Sequence, residues 1–225
     1  DVMTHEDYGF YSYAEYYVLG DVFVLTSPDK EKGTLLELKG KGCRQMESYL
    51  LAQHRSWYDF LMDALVEGGV MKRLDLAIND MAGILDIPEL TEKCNREECI
   101  SVFRSFKSYR SGELVRSNEQ DRYGMGNTLY IGSLKSEVYF CIYEKNYEQY
   151  VKYDIPIEDT KIKNRFEIRL KNERAYYAVR DLLTYHDAER TAFDIINRYM
   201  RFADKEVEKL SLIHISEPTR LALIS

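Results

Sequence analysis

Along the chain, apolar positions alternate or recur with periods that predict most of its elements. Val22–Leu25 and Thr34–Leu38 are short β-rich runs separated by Ser-Pro-Asp-Lys-Glu-Lys-Gly, and the Pro and Gly turn signals predict a hairpin. From Arg44 to Val66 apolar residues recur as Met46, Leu50, Trp57, Leu61 and Leu65, which predicts one helix ending at Gly68 and Gly69. Val70–Asn79 alternates, with Leu74, Leu76 and Ile78 on one face and Arg73, Asp75, Ala77 and Asn79 on the other. Pro88–Cys94 suits a short helix, Ile100–Tyr109 a strand and the polar stretch Ser111–Asn127 a loop. Thr128–Gly132 and Glu137–Tyr143 flank Ser133–Ser136 as a second hairpin. Arg165–Leu170 alternates again, setting Phe166, Ile168 and Leu170 against Arg165, Glu167 and Arg169. Helices over Glu173–Leu183 and Ala188–Ala203 complete the pattern. Hairpins with helices between and after them predict an α+β fold with a largely antiparallel β-sheet and flanking helices. No Gly-rich strand-to-helix loop of either common nucleotide-binding type is present.

Composition narrows the class. An apolar content of 45% in 225 residues can build one large core or two small ones, and the reading adopted is one domain over residues 1–209. No window approaches the about 18 consecutive apolar residues of a membrane helix, and no cationic start leads into an apolar run. A cytoplasmic setting without membrane contact follows as the default, with Cys43, Cys94, Cys99 and Cys141 as reduced thiols. The net charge of -7 is the wrong sign for binding nucleic acid through bulk charge, so any DNA contact must be a local patch. The chain opens at Asp1, inside a Tyr-rich segment, which predicts a missing part upstream. The string LSLIHISEPTR, Leu210 to Arg220, resembles the translation of a sequencing adapter, so residues 210–225 are set aside as an artefact.

Candidate chemistry is sparse. Serine or cysteine hydrolases need a histidine base, and His5, His54 and His186 have no persuasive setting. There is no His-x-His pair, so a metal would need carboxylates. Asp75 and Glu167 lie mid-strand on polar faces, where a charge is costly unless paired or bound to a cation. Oxygen ligands suit Mg²⁺ or Mn²⁺, with Asp80 a weaker third candidate. The alternative is that these carboxylates simply pair with Arg73, Arg165 or Arg169 on a solvent-exposed sheet face. If Ala175, Val179 and Leu182 form the packed stripe of their helix, about 100° per residue turns Tyr177 nearly opposite and Tyr176 to the flank. An exposed tyrosine can attack phosphorus, but among 19 tyrosines this geometry alone does not single one out.

The string NRFEIRLKNERAYYAVRDLL, Asn164 to Leu183, resembles the Rep-trans family of plasmid rolling-circle replication initiation factors and MobT-type relaxases of integrative conjugative elements and conjugative transposons. Supporting blocks are RLDLAIND (Arg73–Asp80), TLYIGSLKSEVYFCIYEKNYEQ (Thr128–Gln149) and LKGKGCRQME (Leu38–Glu47), in the right order. The resemblance implies an antiparallel-sheet catalytic domain, truncated at both ends, with a Tyr nucleophile and a divalent metal, Mg²⁺ or Mn²⁺, held by carboxylates. Carried over residue by residue, the family's Arg-x-Glu strand falls on Arg165 and Glu167 and its nucleophile on Tyr177, with Tyr176 as the fallback. Asp75 and Asp80 join Glu167 as metal ligands. Tyr143, Lys145 and Glu148 match a Tyr-x-Lys-x-x-Glu pattern that puts Lys145 near phosphate. The block containing Gly40, Gly42, Cys43, Arg44 and Glu47 matches without an assignable role.

The activity so implied is nicking of one DNA strand at an origin of replication or transfer. It gives a 5′-phosphotyrosine, a free 3′ hydroxyl that can prime replication, and a covalent link that allows later rejoining. Arg73, Lys107, Arg110, Lys135 and Arg169, with Arg104, Lys145 and Arg165, are the cations available to a groove for single-stranded or supercoiled DNA. A helicase or a second copy of the chain would be further partners. Two rival readings stand beside this one: a non-catalytic DNA-binding replication-control protein of the same fold, and an unrelated α+β interaction module whose polar-face carboxylates form plain ion pairs.

Overall fold

The computed structural model describes residues 2–112, 124–203 and 221–224. Two compact units divide them where the sequence reading had one domain: Asp1–Val70 makes up most of the first and Met71–Ala222 the second.

The first unit is an antiparallel meander of β1 (Thr4–Glu6), β2 (Glu15–Leu19), β3 (Val22–Thr26) and β4 (Leu35–Leu38), followed by α1 (Lys41–Ala52) and α2 (Trp57–Val66). The predicted hairpin is β3–β4, with Val22 opposite Leu38. Those two residues and Cys43 form a small core that Met46 and Trp57 close. The single helix expected over Arg44–Val66 is instead two. His54 adopts a left-handed φ of 55°, and Ser56 restarts the chain as an N-cap. Its Oγ accepts from the Asp59 N–H and the Asp59 carboxylate accepts from the Ser56 N–H at 2.8 Å, a reciprocal cap that outweighs the continuous apolar stripe.

The second unit is built on β5 (Arg73–Asp80), α3 (Ile87–Asn95), β6 (Cys99–Ser101), β7 (Phe106–Gly112), β8 (Gly124–Ile131), β9 (Val138–Glu144) and α4 (Lys145–Tyr153). A 3-10 turn at Ile157–Asp159, β10 (Asn164–Lys171), α5 (Asn172–Tyr185), α6 (Ala188–Tyr199) and β11 (Met200–Phe202) follow, and β12 (Leu221–Ile224) crosses the division, its Leu223 and Ile224 counting with the first unit. Six strands run in the order β12-β5-β10-β9-β8-β7, and β11 pairs with β6 apart from them. Every register given for the neighbouring pairs from β5 to β7 is antiparallel. The predicted α+β class with a largely antiparallel sheet is therefore the observed one.

Alternation divides the sheet into two faces. Leu76, Ile168, Phe140, Ile142 and Leu129 are fully buried on one side. There α5 lies against β5 and β10, α6 against β5, and α3 against β8 and β9. Phe140 meets Phe103, Phe166 and the α6 residue Tyr199 in ring contacts. Gly132 takes φ +93°, and a Cβ there would meet the Phe103 ring at 2.9 Å, so the β8–β9 turn requires glycine.

Several boundaries differ from the sequence pattern. The strand expected over Ile100–Tyr109 is split into β6 and β7, because β6 leaves the main sheet to pair with β11. That pairing also ends the last helix at Tyr199 rather than Ala203. Strands β7 and β8 extend into the expected loop Ser111–Asn127, of which residues 113–123 lie outside the described residues. The adapter-like string Leu210–Arg220 lies outside them too.

Candidate functional site

Register puts the predicted carboxylates on neighbouring strands and on one face. Asp75 of β5 stands opposite Arg169 of β10, and Glu167, two residues along β10, stands between Ala77 and Cys141. The two carboxylates on it are buried, Asp75 at 3% and Glu167 at 5% exposure, although Arg73 and Lys107 on the same face are exposed. Burial makes ion pairing obligatory, and guanidinium groups supply it. Arg73 forks onto both Asp75 oxygens at 2.9 and 2.6 Å. Arg169 donates to Glu167 Oε2 at 2.6 Å and lies 3.8 Å from Asp75 Oδ2, so it bridges the two carboxylates. Glu167 Oε1 accepts the Tyr143 hydroxyl at 2.8 Å, and Arg165 donates to Asn79 Oδ1 at 2.8 Å.

Electrostatics follow from this packing. Burial raises the Asp75 carboxyl above its ordinary value, against the pull of Arg73 and Arg169. Burial likewise pushes the Cys141 thiol up to about 12, with the Glu167 charge adding to it. Burial alone would lower Arg169, but its bonds to Tyr139 and Glu167 win and hold the guanidinium above its usual range. Lys145, the first residue of α4, pairs with Glu148 and lies 5.6 Å over the Tyr143 ring. Burial, aided by the Arg165 charge, sets its ammonium below the usual lysine range despite Glu148.

The donor set decides what this face can hold. Its oxygens have the right chemistry for Mg²⁺ or Mn²⁺, but each of the four carboxylate oxygens already has a partner: Arg73 on both Asp75 oxygens, Tyr143 and Arg169 on Glu167. Among the described residues no group of three or more His, Cys, Asp or Glu side chains is arranged for a metal. As arranged, Asp75 and Glu167 do not fit a divalent cation. The ion-pair alternative describes their contacts, with the carboxylates themselves buried.

Asp80 does not join them. It falls on the apolar side of β5, where it accepts from the Gly83 and Leu85 N–H groups at 2.7 and 2.8 Å and from Asn164 Nδ2 at 2.9 Å. Those bonds lower its carboxyl below the ordinary value although burial opposes them. Its role is to hold the turn after β5.

The predicted DNA-contacting cations are divided. Arg73, itself exposed, and the partly buried Arg169 are paired with the buried carboxylates. Lys107 is exposed on β7, cross-strand from Tyr130 and on the same face, whereas Arg110 is exposed on the other face. Lys135 is exposed in the β8–β9 turn, where Lys171 Nζ donates to the Leu134 carbonyl. The acidic excess lies elsewhere: residues 1–70 hold twelve acidic and six basic side chains, whereas residues 71–203 hold twenty-two of each.

Tyr177 stands apart from this network. Asn172 takes a left-handed φ of 49°, which turns the chain from β10 directly into α5. Ala175, Ala178, Val179 and Leu182 are the buried stripe of α5. The packing stripe expected from the sequence thus turns Tyr177 away from the sheet, and it is 38% exposed. Its hydroxyl donates to Glu173 Oε1 at 3.0 Å, one turn back, and the Arg180 guanidinium lies 5.1 Å over its ring. The Glu173 bond and charge raise the Tyr177 phenol above its ordinary value. Tyr176 is also exposed and touches Tyr177 edge to face at 5.8 Å. The apolar layer and the sheet separate Tyr177 from Asp75 and Glu167. Sequence reasoning passed over Glu173 and Arg180, although their spacing from Tyr177 on a helix was the available signal.

Comparison with known proteins agrees with this architecture. Residues 1–63 match the family described as Rolling Circle replication initiation protein N-terminal domain, and residues 69–216 match that described as Replication initiation factor. The chain is 47% identical over 207 residues to the "Putative DNA relaxase NicK" of Bacillus subtilis (strain 168), covering 92% of this chain and 57% of that protein. It therefore spans little more than half the length of that relative. The fold is that of a rolling circle replication initiator protein from Geobacillus stearothermophilus, with a TM-score of 0.75 at 23% identity, over 92% of this chain and 75% of the other. The chain belongs to the Rep-trans replication initiation factor family.

Proposed function

We propose that this chain is the strand-nicking part of a DNA relaxase or rolling-circle initiator, with Tyr177 as nucleophile. The observation that carries the reading is an exposed phenol whose hydroxyl already donates to a carboxylate at 3.0 Å, at the position that the family's Tyr occupies in the Arg-x-Glu block. Family membership and the relative described as a DNA relaxase support the same class of reaction.

Tyr177 Oη attacks the scissile phosphorus in line with the bond to the 3′ oxygen. The O–P bond forms, the P–O3′ bond breaks, and the products are a 5′-phosphotyrosine and a free 3′ hydroxyl. The phosphodiester linkage is conserved, so the strand can be rejoined. Arg174 and Arg180, whose charges act on Tyr177, are cations able to offset the added negative charge. No step is assigned to a metal. The sheet-face network of Arg73, Asp75, Arg165, Glu167 and Arg169 serves by fixing β5, β10 and Tyr143 of β9 against one another. Lys107 and Lys135 are exposed and open to DNA phosphates.

The test is incubation of the chain with a randomised single-stranded oligonucleotide library, followed by denaturing electrophoresis. A covalent protein–DNA adduct in the wild type that is absent in Tyr177→Phe supports the reading. DNA binding without adduct supports a non-catalytic replication-control role instead.

A further inference from the structure

Nucleophilic tyrosines have a proton to lose, and the phenol of Tyr177 loses it with difficulty at neutral pH, since its ordinary value is about 10. A group that takes that proton as the O–P bond forms must lie within hydrogen-bond reach, about 2.6–3.2 Å. Lys145, the residue first expected near phosphate, is paired with Glu148 and lies over the ring of Tyr143, on the sheet face that carries Arg165 and Glu167. It is not among the charged groups that act on Tyr177. Asp75 and Glu167 share that sheet face.

Glu173 meets the distance requirement. It sits in the first turn of α5, exposed, with Oε1 at 3.0 Å from Tyr177 Oη. Arg180 lies over the ring from the following turn. The charged groups acting on this phenol are Glu173, Arg174 and Arg180, all on α5. An i, i+4 pair on a rigid helix keeps carboxylate and phenol together without a second element.

We propose that Glu173 is a catalytic residue, the general base for Tyr177. This rests on Tyr177 being the nucleophile. As Oη bonds to phosphorus, the phenolic proton passes to Glu173 Oε1, the P–O3′ electron pair leaves with the 3′ oxygen on the opposite side of phosphorus, that oxygen takes up a proton from water, and the Glu173 carboxylic acid gives its proton back to solvent. Atoms and charge balance, and Glu173 ends as the carboxylate it began as. By microscopic reversibility, the carboxylic acid form of Glu173 returns the proton to the phenolate when the strand is rejoined.

The test compares wild type, Glu173→Gln and Tyr177→Phe on the same single-stranded library, measuring adduct rate from neutral to alkaline pH and oligonucleotide affinity by anisotropy. Glutamine keeps the shape and can still accept a hydrogen bond from the hydroxyl. The expected result is an adduct rate about 10²–10⁴-fold lower for Glu173→Gln at neutral pH, with affinity unchanged. The deficit should narrow as pH rises toward the ionisation of the phenol, where no base is needed. A Glu173→Gln rate equal to wild type, or a deficit of the same size at every pH, overturns the role of Glu173 and leaves Tyr177 standing. An adduct that survives in Tyr177→Phe overturns Tyr177 itself, and the inference with it.

Discussion

Tyr143 of β9 donates its hydroxyl hydrogen to Glu167 Oε1 of β10 at 2.8 Å. The residue directly across β9 from Glu167 is Cys141, so the bond runs diagonally from Tyr143, which lies opposite Arg165. Burial, then the Glu167 charge, pushes the Tyr143 phenol far up, so it remains a neutral donor. With Arg169 on the other oxygen, Glu167 is fixed at both ends.

Removing that donor strands a buried carboxylate oxygen. Tyr143→Phe is expected to lower stability by about 1–3 kcal/mol, read from the denaturant midpoint at unchanged m-value. A neutral effect would mean that Arg165, 4.0 Å from the same oxygen, takes over the bond.

Asp75 gives a pH dependence of definite sign. Its folded value is raised above the unfolded one, so between the two the native state binds more protons than the unfolded chain. Its contribution is fully present below the unfolded value, about 4, and is lost as pH rises through the folded one. Wild type should therefore lose stability relative to Asp75→Asn as pH climbs from about 4 through that window. A difference curve that is flat, or that rises, contradicts the assignment.

Asp80 is assigned a structural role, and its removal separates structure from chemistry. Asp80→Ala deprives the Gly83 and Leu85 N–H groups and the Asn164 amide of their acceptor. A loss of about 1–3 kcal/mol is expected, with DNA-adduct yield per folded molecule unchanged. Lost activity in a fully folded variant would return Asp80 to the site.

Arg169 bridges the two carboxylates and occupies the oxygens that a cation would need. Arg169→Ala should therefore bind Mn²⁺ more tightly than wild type, read as loss of the free-ion spin resonance signal during titration. Equal affinity in both proteins would show that Arg169 does not control the oxygens.

Much of this was legible in the sequence because the signals are local. Period-two alternation in Arg73–Asn79 and Arg165–Leu170 put Asp75 and Glu167 on polar faces, and the helical period around Tyr177 gave its outward direction. The cation partners were legible as candidates but not as a choice, since whether Asp75 meets Arg73 or a metal depends on cross-strand register, which no local pattern fixes. Asp80 was misplaced because the last residue of a strand shares the block but not the face. The α1–α2 break was hidden because an apolar stripe ran through it, whereas the deciding signal was the Ser56–Asp59 cap. Glu173 escaped notice because an acidic residue in a first helical turn is ordinarily explained by the helix dipole.

The measurement that bears most directly on Tyr177 is to digest the wild-type DNA adduct with protease and nuclease and locate the nucleotide-bearing residue by mass spectrometry. A single modified site is expected at Tyr177, on the peptide that also carries Tyr176, resolved by fragmentation. Modification at Tyr176, or at a tyrosine of the sheet such as Tyr143, would contradict it.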